Sequence, residues 1–152
     1  MSFHPAKCEV IRFTRRQGRA APTREYVLHN QKIPVVSKIK YLGVHIQNDL
    51  KWSAHIDYIC GKAASTLGFI KRTLPPSSKN LRAKAFIQLE IPILEYASRT
   101  WDPLPKTLSY KVEAAQRRAA RAVYNIPKTS RISTTTLLNK LDWVLLAERG
   151  EH

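Results

Sequence analysis

The stretch SKIKYLGVHIQNDLKWSAHIDYI, Ser37 to Ile59, contains the change of period on which the fold turns. Its first half alternates as a β-strand does, with Gly43 beside the large Tyr41 and Leu42. A glycine inside such a run marks a bulge or a close backbone approach. We read Ile39 to Ile46 as one strand, with Tyr41 and Leu42 on opposite faces of the sheet. From Trp52 the spacing becomes helical. Ile56, Ile59, Cys60, Ala63, Leu67, Ile70 and Leu74 form a stripe from which Lys62, Thr66 and Lys71 are absent. Lys38, Lys40 and Lys51 flank the change.

Upstream of this point the segments read as strands. CEVIRFT, Cys8 to Thr14, is β-branched and aromatic, and EYVLHNQKIPVV reads as two strand pieces around a turn near Asn30–Gln31. Arg15 to Glu25 reads as an exposed basic loop. Downstream the segments read as helices. PPSS at 75–78 ends the first, with Ser77 or Ser78 capping the second, from about Lys79 to Ser98. That second helix would bury Leu81, Ala85, Phe86, Leu89, Ile93 and Tyr96, and Pro92 would kink it. A third helix spans about Thr107 to Tyr124, with Leu108, Val112, Ala115, Ala119 and Val123 inward. A fourth spans about Thr134 to Ala147, with Leu137, Leu138, Leu141 and Leu145. Strands followed by helices predict an α+β fold: a small antiparallel sheet over residues 1–50, then a helical subdomain of three to four helices over 51–152.

The chain of 152 residues is 43% apolar, enough for a real core, and carries a formal charge of +15. That charge divides as +6, +5 and +4 over residues 1–50, 51–100 and 101–152, so the folded part itself is basic. A polyanion, nucleic acid above all, is the partner such a surface suits. Cys8 and Cys60 make no disulfide framework, MSFHPAKCEV has no signal-peptide core, and no apolar run could span a bilayer. The expectation is an intracellular chain, nuclear or cytoplasmic, without membrane or small-molecule partners.

Five pieces occur in one order and one set of spacings: FHPAKCEVIRFT, KYLGVHIQNDLKWSAHI, KAASTLGFIKR, PILEYASRTWDP and EAAQRRAARAVYNI. Together they resemble the region after the catalytic motif in reverse transcriptases of non-LTR retrotransposons, particularly jockey-like elements. The resemblance spans about Phe3 to Arg149. It implies that the KYLG strand belongs to the primer grip, a hairpin at the edge of the palm, and that the helices form a thumb over the template–primer duplex. Backbone contacts of that kind need a rigid ribbon, a small residue at closest approach and nearby cations.

The nucleic-acid-binding candidates are therefore Lys38, Lys40, Tyr41, Leu42 and Gly43 on the grip, Lys62 and Lys71 on the first helix, and Arg117, Arg118 and Arg121 on the third. Lys7, in HPAKCE, resembles a palm lysine that lies near the incoming nucleotide's phosphates, although an ordinary strand-edge lysine would look the same. The partners implied are RNA–DNA or DNA duplex, contacted through phosphates, and the fingers and palm of a parent polymerase.

Polymerase chemistry of this type needs carboxylates around two Mg²⁺ ions. The aspartates here, Asp49, Asp57, Asp102 and Asp142, include no adjacent pair. The family's catalytic hairpin would precede Met1, and LAERGEH resembles a helix cut short. The expectation is a polymerase fragment with no catalytic residues, no metal site and no cofactor of its own. The alternative is a non-catalytic basic module that binds nucleic acid or protein. His4, Cys8, His55 and Cys60 lack the short ligand spacing of structural zinc sites. Tyr96, Trp101 and Trp143 could stack on bases, but aromatics at helix contacts more often belong to a core.

Overall fold

The computed structural model describes residues 4–13, 24–101, 105–127, 129–141 and 143. The fold is α+β. Residues 1–55 and 56–152 form two compact units, and the division falls in the first turn of a long helix. The expected loop Arg15–Glu25, save its last two residues, and Leu145 of the fourth expected helix lie outside the described residues.

In the first unit the strands form three two-stranded pairs rather than one antiparallel sheet. β1 (Val10–Ile11) pairs in parallel with β4 (Val35–Val36). β2 (Tyr26–Leu28) and β3 (Gln31–Ile33) form an antiparallel hairpin. Its turn is His29–Asn30, at φ 48° and 60°, one residue before the expected place. Pro34 separates β3 from β4. It has no N–H to continue the ladder, and its carbonyl instead accepts from Val10 N–H at 3.0 Å, which opens the parallel pairing.

The strand expected over Ile39–Ile46 is two strands. β5 (Lys38–Tyr41) and β6 (Val44–Gln47) fold back antiparallel about Leu42–Gly43. Both turn residues have positive φ, 47° and 84°, the combination of a type I′ hairpin turn, whose twist matches that of the strands it joins. Leu42 thus belongs to neither face. Gly43 is present because the reversal requires φ > 0 there.

The helix α1 (Ser53–Thr73) follows within a few residues, and in the second unit Ile56, Ile59, Ala63, Leu67 and Ile70 of the expected stripe are buried, while Cys60 and Leu74, the latter just past the helix end, are half-buried. The second expected helix is broken. α2 (Lys79–Leu89), with Ser78 at its N-cap position, stops at Glu90, and α3 (Ile91–Glu95) starts anew with Pro92 in its first turn. Proline is tolerated there because that N–H needs no intrahelical partner. A short helix α4 (Ser98–Trp101) follows.

The buried face of α2 also differs from the expectation. Phe86 is buried, but with Arg82 and Glu90, while Leu81, Leu89 and Tyr96 are about half exposed. α5 (Lys106–Val123) buries Val112, Ala115, Ala119 and Val123 of the expected stripe and leaves Leu108 half-buried; Gln116, Ala120 and Ala122 are buried as well. Its small side chains let α2 and α6 (Thr134–Lys140) approach closely. The core gathers Leu67, Phe86, Ile91, Leu137, Leu138 and Trp143 around those alanines. Trp143 stacks on Phe86 at 4.3 Å between centroids, which makes it a core residue.

Candidate nucleic-acid interface

The register of the β5–β6 hairpin places Lys38 opposite Gln47 and Lys40 opposite His45. Cross-strand partners share a face, so these four side chains lie on one side and Ile39, Ile46, Tyr41 and Val44 on the other. Both lysines are exposed. At the tip, Tyr41 is 62% and Leu42 73% exposed, an unusual display for two large side chains. Together they offer two cations, a protruding tip and a Gly43 backbone with no side chain to obstruct approach.

Two residues of the lysine-bearing face hold the hairpin to the start of α1. Gln47 Oε1 accepts from Ala54 N–H at 2.9 Å and from Ser53 Oγ at 3.0 Å. It thereby satisfies an amide that the first helical turn leaves without an intrahelical acceptor. His45 N–H donates to Nδ1 of the buried His55 at 3.3 Å. Between them Asp49 Oδ1 accepts from Lys51 N–H at 3.0 Å and shapes the joining turn. Burial first, then the Lys38 and Lys40 charges, hold His45 below the ordinary imidazole range. Neither Gln47 nor His55 is among the nucleic-acid-binding candidates, and His55 enters the sequence reading only in the rejected zinc grouping. A glutamine at a strand end and a histidine in a first helical turn carry no distinctive signal.

The remaining candidates are distributed differently. Lys7 is exposed and ends a 3₁₀ turn, Pro5–Lys7, ahead of the short β1. Lys62 and Lys71 are exposed on α1, with the Lys62 ammonium 5.7 Å from the Tyr58 ring centroid. The α5 arginines do not act as one cluster. Arg117 Nη2 contacts Glu113 Oε2 at 2.6 Å. Arg121 donates to the carbonyls of Pro127, Ser130 and Ile132 at 3.2, 3.5 and 3.4 Å, and so shapes the loop after α5. Arg118 is turned about 100° from Arg117 around the helix and is exposed. Nearby, Lys111 Nζ pairs with Asp57 Oδ1 at 2.6 Å.

A further arginine, Arg82, is buried. Its guanidinium donates to Leu74 O at 2.6 and 3.2 Å, Lys71 O at 3.4 Å and Ala122 O at 3.0 Å. One cation thus satisfies carbonyls at the C-terminal ends of both α1 and α5, where the helix dipoles favour positive charge. Among the described residues, no three His, Cys, Asp or Glu side chains gather where they could hold a metal ion, and no helix is long and apolar enough to cross a membrane. The side chain of Trp101 lies outside the described residues.

No protein-family model, curated protein or solved structure matches the chain.

Proposed function

We propose that this chain corresponds to the primer-grip and thumb portion of a non-LTR retrotransposon reverse transcriptase, jockey-like, and that it contacts template–primer duplex through phosphates without catalytic carboxylates. The observation that carries this reading is the β5–β6 hairpin. Exposed Lys38 and Lys40 stand beside a protruding Tyr41–Leu42–Gly43 tip, on the very segment through which the sequence resembles a primer grip. The formal charge of +15 supports the same partner. No polymerase activity of its own, and no Mg²⁺ site, is part of the proposal. Arg118, Lys62 and Lys71 are the second unit's exposed phosphate candidates; Arg121 acts on its own loop.

The test is equilibrium binding to RNA–DNA and DNA duplexes of several sequences over a series of salt concentrations. Affinity should fall steeply with salt and hardly vary with sequence, because phosphate contacts release counterions but carry no base information. Lys38→Ala with Lys40→Ala should weaken binding to every duplex alike and flatten the salt slope by about two contacts. Primer extension should give no product. Strong preference for one sequence, or no binding at low salt, would sink the proposal. The half-exposed Leu81, Leu89 and Tyr96 in the second unit favour a second reading, a basic module that docks on protein. A purified chain that ignores duplex at low salt would move weight to that reading.

A further inference from the structure

We propose that His55 is a proton-operated latch: its neutral imidazole holds the β5–β6 hairpin on the first turn of α1, and its protonation releases the hairpin. The geometry begins with the 3.3 Å bond from His45 N–H to His55 Nδ1. An imidazole nitrogen that accepts a hydrogen bond carries no proton, so in this arrangement the ring is neutral, with its hydrogen on Nε2. Adding a proton to Nδ1 would set two N–H donors head to head. His55 is 0% exposed, so water cannot take over as acceptor while the hairpin stays in place.

The neighbouring charges oppose protonation in the closed state. Lys38 and Lys40 on β5 act on His45, whose ring lies 6.5 Å from that of His55, and His45 acts on His55. The joining segment contributes Asp49 and Lys51, which pair with each other at 3.4 Å. On α1, Asp57 is paired with Lys111. Burial first, then the His45 charge, place His55 below its ordinary 6.5. The sign follows. The released state, with its ordinary imidazole, binds a proton more readily than the closed state, so release grows as pH falls below about 6.5. The second tie, from Gln47 Oε1 to Ser53 and Ala54, involves no titrating group. Release is therefore local, and the hairpin stays tethered near its base.

The experiment follows hydrogen exchange at the His45 amide by NMR on the full chain between pH 7.5 and 5, with the intrinsic exchange rate divided out. Protection should fall by up to about tenfold per pH unit once His55 begins to protonate. The His55 Cε1–H shift should titrate over the same range. His55→Asn places an amide oxygen where Nδ1 stood and cannot take up the proton, so His45 protection should become flat with pH. Three results would overturn the latch: flat protection in the parent chain down to pH 5, an unchanged fall in His55→Asn, or loss of protection simultaneous with that of core amides in α5. Should His55→Asn not fold, the parent chain still decides. A His55 titration midpoint displaced from the exchange midpoint by more than about one pH unit refutes the mechanism.

Discussion

Leu42 holds a left-handed backbone conformation, φ 47°, where a branched side chain costs about 1–2 kcal/mol relative to glycine. It packs little in return, at 73% exposure. Leu42→Gly should therefore stabilise the hairpin by about 1 kcal/mol, read as increased protection of the β5 and β6 amides. If the tip touches duplex, the same variant should also bind more weakly. Glu90 is a second residue placed against its own preference. It is 0% exposed at the α2–α3 break, neither carboxylate oxygen has a hydrogen-bond partner among the described residues, and burial raises its pKa to about 8. Because the folded value lies above the unfolded 4.5, folding takes up a proton between these limits. Stability is greatest below about pH 4.5 as far as this group is concerned, falls as pH rises to about 8, and is level above. Glu90→Gln should remove that slope. Thermal melts of the two proteins at pH 5, 7 and 9 should diverge as pH rises, by an amount on the order of a few kcal/mol at pH 9.

Among the elements, α2 turns a face inward that its apolar pattern does not predict. The row Leu81, Ala85, Leu89 has helical spacing and the greater apolarity, so it reads as the core stripe. The face that packs is Arg82, Phe86 and Glu90. Arg82 can be buried because α1 and α5 end within its reach and offer it carbonyls that lack intrahelical donors. Substitutions should separate the two faces cleanly. Phe86→Ala should cost about 3–5 kcal/mol, since it removes the ring against which Trp143 stacks. Leu81→Lys should change stability by less than about 0.5 kcal/mol. Arg82→Leu removes the side-chain donor that serves Leu74 O and Ala122 O, of which the second keeps the Asn125 N–H at 3.2 Å, and should cost about 2–3 kcal/mol. Chemical denaturation of the three variants gives these values directly.

Across the whole molecule, apolar burial is distributed unequally. Among the described residues of 1–55, Val44 is the one buried apolar side chain, while Val27, Val35, Tyr41 and Leu42 are exposed. The second unit contains the shared core of α1, α2, α5 and α6. Stability follows buried apolar area, so the first unit should open at a lower free energy than the second. Hydrogen exchange should show amides of β2 to β6 exchanging through openings that leave α1 and α5 protected. A single cooperative transition for both units would contradict this. The exposed cations fall in both units, so salt-dependent duplex binding should weaken, without vanishing, when Lys38 and Lys40 alone are replaced.

The α+β order, most of the buried stripes of α1 and α5, and the turn between β2 and β3 follow from the amino-acid sequence alone. Each of these rests on a local period, 2.0 or 3.6, or on turn chemistry within a few residues. The same local reasoning ran Ile39 to Ile46 together as one strand, because Leu42 gives no turn signal and Gly43 alone permits several geometries. It also grouped Arg117, Arg118 and Arg121, which share a helix but not a role. That Arg121 clasps the loop after α5, that Gln47 and His55 bind the hairpin to α1, and that Arg82 lies inside depend on packing between distant segments. The physical reason is the same in each case. Whether a polar group can be buried depends on the partner it meets, and that partner can stand far along the chain, as Ala122 does, forty residues from Arg82.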